Sequence, residues 1–145
     1  MGLVVTACLT LGLVVACAAL HYETLHIIGR HARPRDGRWS LMAVVVLLLA
    51  LHLAEIALFG VGYWLGDRIL GLGDFAGART VSGEDYFYFA SETYTSLGYG
   101  DVYPVGDLRM LAGANTLAGL LLLAWSGAFL FALLEEWRLR GVKVG

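Results

Sequence analysis

Three uninterrupted apolar stretches confine what this chain can fold into. They run from about Gly2 to Ile28, from about Trp39 to Leu65 and from about Leu108 to Leu134. Each exceeds the roughly 20 residues that a helix needs to cross the hydrocarbon of a bilayer. The chain is 59% hydrophobic, with a mean hydropathy of +0.72, well above the roughly 45–50% apolar content of soluble domains. Lipid is therefore its solvent. Hydrocarbon offers the backbone no hydrogen bonds, so each stretch must satisfy its own as a helix. Trp39, Tyr63, Trp64 and Trp137 lie near the ends of these stretches, at the headgroup level that amphipathic rings favour.

The basic residues predict the orientation. Seven of the ten Lys and Arg residues fall in two places: Arg30, Arg33, Arg35 and Arg38 between the first two stretches, and Arg138, Arg140 and Lys143 after the third. By the positive-inside bias both places are cytoplasmic. The expectation is a multi-pass protein of the plasma (inner) membrane, with its N-terminus outside, its C-terminus cytoplasmic and residues 66–107 on the outer side. Asp67, Asp74, Glu84, Asp85, Asp101 and Asp107 lie in that outer segment, where they would draw cations or merely be solvated. Met1 to Leu20 holds no Lys or Arg, which argues against reading the start as a cleaved leader despite the lipoprotein-like Val14-Val15-Ala16-Cys17. Cys8 and Cys17 fall on opposite faces of a helix and are expected to be small buried apolar residues, neither a disulfide nor a metal pair.

Between the second and third stretches the chain has the signals of a segment that enters the membrane and turns back. Ser82 is an N-cap with Asp85 three residues on, a relative of the capping box. Tyr86-Phe87-Tyr88-Phe89-Ala90 then opens a helix of about three turns that reaches Thr95. After it come Ser96-Leu97-Gly98-Tyr99-Gly100. Glycine takes φ values closed to other residues, so the carbonyls of Ser96, Leu97, Gly98 and Tyr99 can face one side. Stacked rings of such oxygens replace the water around a dehydrated cation. A helix C-terminus, with about half a negative charge, aimed at a water-filled cavity would stabilise a cation there too. Irregular backbone at membrane depth survives only where protein or water covers it, so this run must line a pore or be buried.

The run Glu92-Thr93-Tyr94-Thr95-Ser96-Leu97-Gly98-Tyr99-Gly100-Asp101, followed by Tyr103-Pro104, resembles the pore loop of bacterial potassium channels almost position by position. The resemblance covers roughly Tyr86 to Leu134. It implies an all-α membrane protein of three transmembrane helices plus a re-entrant pore helix and selectivity-filter loop, with four identical subunits around one axis. On that reading the chain is a single membrane domain: a first helix at 1–29, an outer helix at 39–66, pore helix and filter at 84–107, an inner helix at 108–137 and a cytoplasmic tail at 138–145. Ser96, Leu97, Gly98 and Tyr99 would bind K⁺, the transported ion, with Gly100 completing the filter and no other cofactor. Glu92 would sit behind the filter and Asp101 at its outer end, with Thr95 and Tyr88 in support. Arg109 and Gly119 fit the family's inner-helix spacing if one residue is deleted after Pro104, and Gly119 then falls at the hinge position. The chain departs from the family at Ser96-Leu97, where Thr-Val is commonest, and at Tyr88-Phe89, where the family commonly has two tryptophans. The loss of an indole donor to Asp101 leaves the Tyr88 hydroxyl to replace it. Three-helix subunits with one pore loop resemble, more loosely, small bacterial ion-channel-like proteins.

Ionisable residues inside a membrane segment mark functional candidates. His52 and Glu55 stand i,i+3 on the second stretch, on one helix face, and read as a structural pair tying the first two helices or as a proton sensor. Asn115 is placed to hydrogen-bond across helices. Phe131 is the bulkiest candidate for an inner constriction that closes by dewetting, and with Gly119 it completes the gating candidates. No phosphate loop, zinc spacing or nucleophile with a partner base is present, so neither an enzyme nor a nucleic-acid partner is expected. The first stretch has no arginine ladder for voltage sensing, and the residues after Leu134 leave no room for a ligand-binding domain. The reading is passive, potassium-selective conduction, with a weakly selective cation pore and a non-conducting membrane subunit as alternatives.

Overall fold

The computed structural model describes residues 2–32, 38–77, 81–98 and 100–140. In chain order it contains α1 (Gly2–His31), α2 (Arg38–Trp64), a π-helical turn (Leu65–Ile69), β1 (Gly73–Gly77), α3 (Gly83–Tyr94), β2 (Val102–Gly106) and α4 (Leu108–Leu139). At 1.5 Å per residue α1, α2 and α4 are rods of roughly 40–48 Å, longer than the roughly 30 Å hydrocarbon core. All three are long and apolar enough to cross a membrane, which makes this an all-α multi-pass membrane protein. Their outward faces are apolar almost throughout: Val4, Leu49, Leu121 and Phe131 are all largely exposed, as befits side chains whose solvent is acyl chain.

α3 starts where its first turn is capped. The buried carboxylate of Asp85 accepts from both the backbone N–H and the hydroxyl of Ser82, at 2.7 and 2.8 Å, satisfying donors that a helix start otherwise leaves orphaned. The π-helical turn at the end of α2 re-aims the chain toward this cap. It presents Arg68, which donates to the Tyr86 hydroxyl at 2.7 Å and to the Val81 carbonyl at 3.3 Å, while that hydroxyl donates to Asp67. Burial first, and donation to Asp67 second, raise the Tyr86 pKa above the usual phenol value. Asp67 and Asp85 are thus committed to local bonds.

The sequence reading contains no strand here, yet β1 and β2 pair antiparallel, from Gly73 opposite Gly106 to Gly77 opposite Val102. Five-residue runs ended by glycine carry too little alternation to register as strands, and Pro104 argues against one. A ribbon two strands wide is all edge, and an edge tolerates proline. The strands close on each other because Gly73 and Gly106 lack side chains: a Cβ on Gly73 would strike the Val105 carbonyl, and Gly106 sits at φ +69°.

The ribbon lies over an aromatic block that joins α2 to α3. Phe75 meets the rings of Phe89, Tyr86 and Tyr63 edge to face, with centroids 5.1, 5.5 and 5.8 Å away, and Tyr63 meets Phe89 at 5.0 Å. These tilted contacts add about 0.5–1.5 kcal/mol each to the area they bury. Asn115, fully buried on α4, donates from Nδ2 to the Tyr63 hydroxyl at 3.1 Å and to the Ala90 carbonyl at 3.3 Å, so it does bond across helices. A second cluster at the other end of the long helices gathers Leu25, Ile28, Val44, Leu48, Leu133 and Trp137. Of the two thiols only Cys17 is buried; Cys8 is exposed, because it stands on the face of α1 turned away from the other helices.

Asp85→Ala should lower the stability of the solubilised protein by about 1–2 kcal/mol, the usual cost of a lost cap, while Glu84→Ala, an exposed change in the same turn, should stay within about 0.5 kcal/mol. Thermal unfolding of both variants in detergent checks the pair.

Candidate functional site

The C-terminal end of α3 delivers the chain into an irregular run. The helix closes with the Thr95 N–H on the Ser91 carbonyl at 3.1 Å, and the Leu97 N–H then reaches the Glu92 carbonyl at 2.8 Å. The Thr95 hydroxyl also turns back onto the Ser91 carbonyl, at 2.9 Å, and so satisfies helix-end acceptors with a side chain. Beyond it Ser96, Gly98 and Gly100 have φ of +60°, +58° and +79°. Leu97 stands between two left-handed residues, an alternation over 96–98 that turns successive peptide groups to a common side instead of opposite sides as along a strand. Tyr99 lies outside the described residues. Glycine was expected at the positive-φ positions, but Ser96 was not: a non-glycine residue held there is strained.

Nothing lies within 4 Å of a Cβ built on Gly98 or Gly100, so their φ values, and not crowding within the chain, are what call for glycine. Thr95, Ser96, Leu97, Gly98 and Gly100 are all exposed. A stretch of backbone is therefore left open between two apolar spans.

At the far end of the run the Tyr88 hydroxyl donates to Asp101 at 3.0 Å, which joins α3 to the residue following Gly100. Partial burial, then this bond, push the Tyr88 pKa up to about 12, with the Glu92 carboxylate adding to the effect. Tyr88 is thus a fixed donor at any ordinary pH. Glu92, also on α3, is itself buried, at 3% exposure.

On α4 the two residues singled out as gating candidates have different surroundings. A Cβ on Gly119 would overlap the carbonyl of Tyr94, so this glycine is where α4 touches the end of α3, backbone against side-chain-free helix. Phe131 is 72% exposed, about three-quarters of the way down α4.

His52 and Glu55 stand at the centre of a larger buried cluster. Glu55 Oε2 lies 3.0 Å from His52 Nδ1 and accepts from the Tyr94 hydroxyl at 2.5 Å, and Glu55 Oε1 lies 2.8 Å from His21 Nδ1. On the far side of both rings is the Ser126 hydroxyl, 3.0 Å from His52 Nε2 and 3.5 Å from His21 Nε2. His21 and Glu55 are 0% exposed and His52 8%. The group draws one or more residues from α1, α2, α3 and α4. Sequence reasoning passed over His21, Tyr94 and Ser126. For His21 a signal existed, an ionisable side chain inside an apolar stretch; Tyr94 and Ser126 carry none.

Residues 41–136 match the family described as "Ion channel". Among curated proteins the chain is 33% identical over 90 residues to the inward rectifier potassium channel Kirbac3.1 of Paramagnetospirillum magnetotacticum, an alignment spanning 61% of this chain and 28% of that protein. The chain thus corresponds to under a third of its relative's length. No solved structure matches it significantly.

The strain at Ser96 has a sign that can be read. Ser96→Gly should leave the melting temperature equal to or above that of the parent, whereas Ser96→Thr, β-branched at φ +60°, should lose about 1–2 kcal/mol. Thermal unfolding in detergent orders the three proteins, and a threonine variant more stable than the parent would contradict the left-handed Ser96.

Proposed function

This chain belongs to the ion channel family, among the potassium-channel pore-loop proteins, and on that footing we propose that it conducts K⁺ passively through a filter formed by Ser96, Leu97, Gly98, Tyr99 and Gly100. The observation that carries the proposal is the exposed run at the end of α3, left-handed at Ser96, Gly98 and Gly100 and held between two membrane spans. Open backbone carbonyls at that depth need cover. Four copies around an axis would supply it by facing the runs toward one another across a column of ions, each carbonyl ring standing in for hydration water. The potassium channel named above, one third identical over the matched part, supports K⁺ as the ion.

In this reading Thr95 ties the filter's base to α3, while Tyr88 and Asp101 brace its outer end with Glu92 behind. Leu97 in place of a β-branched residue loosens one rung, since a γ-branched side chain is less stiff at χ1. The protein would lie in the plasma membrane with Arg30, Arg38, Arg138 and Arg140 on the cytoplasmic side, where basic residues collect.

The test is flux from liposomes loaded with K⁺ or with Na⁺. The parent should pass K⁺ at least tenfold faster, and Gly98→Ala, whose Cβ meets nothing but must be held at a strained left-handed φ of +58°, should abolish flux while native mass still shows four chains. Equal K⁺ and Na⁺ fluxes would replace this reading with a weakly selective pore; no flux of either ion would replace it with a non-conducting subunit.

A further inference from the structure

The cluster around Glu55 contains a proton-counting problem. Tyr94 donates to Oε2, and His52 Nδ1 faces both Oε2 at 3.0 Å and the Tyr94 oxygen at 2.9 Å. With the Tyr94 hydrogen spent on Glu55, both of those are acceptors, so His52 Nδ1 carries a hydrogen. A hydrogen likewise lies between His21 Nδ1 and Oε1, 2.8 Å apart. Both Nε2 atoms then converge on the single hydroxyl of Ser126. If both rings were neutral beside a charged Glu55, each Nε2 would be a bare acceptor, and Ser126 has one hydrogen to give. One nitrogen would be orphaned in a site closed to water, at a cost of about 1–3 kcal/mol.

One additional proton resolves the conflict. Placed on His21, it lets Nε2–H donate to Ser126 Oγ while the Ser126 hydrogen goes to His52 Nε2, the shorter of the two contacts. Every donor and acceptor of the ring is then used, and the His21 imidazolium cancels the Glu55 carboxylate, so the cluster carries no net charge into hydrocarbon. A second proton would have to sit on His52 Nε2. It would turn the Ser126 hydroxyl out of the ring and leave one uncompensated positive charge. The titratable groups facing the cluster are Cys17 and His21 from α1, His52 and Glu55 from α2, and Tyr94 from α3; Cys17 Sγ lies 3.9 Å from the Glu55 carbonyl. α4 contributes Ser126, with the Trp125 ring 5.1 Å from that of His21.

We propose that His21, His52 and Glu55 form a proton-binding site that holds one shared proton at neutral pH, and that its occupancy positions Tyr94 and through it the base of the Ser96–Gly100 run. The coupling to conduction rests on the channel reading above; the proton count does not. Transmission is short. Tyr94 bonds Glu55 through its hydroxyl, rests its carbonyl against Gly119 and precedes Ser96 by two residues. The three donor groups lie within 4.8 Å of one another, but contacts of 2.8 and 3.0 Å are those of atoms bridged by hydrogen. Donors around a tetrahedral zinc with bonds of about 2.0–2.1 Å stand roughly 3.3 Å apart.

Two measurements on the 145-residue chain test this separately. Nitrogen NMR of the four histidines in micelles at pH 7.5, assigned with His21→Asn and His52→Asn, should show His21 doubly protonated and His52 as the Nδ1–H tautomer. A neutral His21, or His52 protonated on Nε2 alone, would overturn the proton site whether or not the protein conducts. K⁺ flux from liposomes should fall at least fivefold between pH 7.5 and pH 5, and by less than twofold in His52→Gln and in Tyr94→Phe, with Tyr94→Phe keeping the parent's His21 signal. Flux in the parent that ignores pH would overturn the coupling. Absence of flux at every pH would sink the channel reading and the coupling with it, leaving the NMR result to judge the proton site alone.

Discussion

Hydrocarbon solvates no polar group, and one side chain shows how this chain lives with that constraint. Glu55 is fully buried on α2, where an isolated carboxylate would be prohibitively expensive, and it is made tolerable by partners from α1 and α3 as well as from its own helix. Those partners define the packing. α1 can occupy only the position that brings His21 to Oε1, and α3 only the depth that brings the Tyr94 hydroxyl to Oε2. A costly group thus fixes the register of three helices, which apolar surfaces sliding on one another in lipid would leave loose.

The opposite end of α3 is held by different means. There the anchors are a cap, an arginine–tyrosine–aspartate chain and the edge-to-face aromatic block beneath the ribbon. α3 is consequently pinned at both ends by bonds to other elements, and the run that follows it inherits a fixed starting point. Asp101, bonded to Tyr88, gives the run a fixed finish. Between these points the backbone is open, with its shape set by three positive φ values.

What the sequence discloses follows the range over which each signal acts. The three spans and the capped start of α3 are local, written in consecutive residues, and are readable for that reason. The pairing of His52 with Glu55 is local too, at i,i+3. Their remaining partners are not: His21 is 34 residues from Glu55, Tyr94 is 39, and Ser126 is 74 from His52. No spacing rule reaches across separate helices. The β1–β2 ribbon escaped notice because its pairing is carried by glycines that permit close approach instead of by an alternating pattern. Ser96 escaped because positive φ is signalled by glycine, and this residue is a serine.

The contact at Gly119 gives α4 a mechanical character. About 11 residues of the helix precede that point and about 20 follow it, which at 1.5 Å per residue are arms of roughly 16 and 30 Å. The Tyr94 carbonyl bears on the helix backbone itself, with no flexible side chain between to absorb displacement. α4 is therefore a lever whose fulcrum is the end of α3. A tilt that swings its longer arm by several ångströms moves the shorter arm about half as far in the opposite sense, and any load on either arm is borne by the residue two places before Ser96.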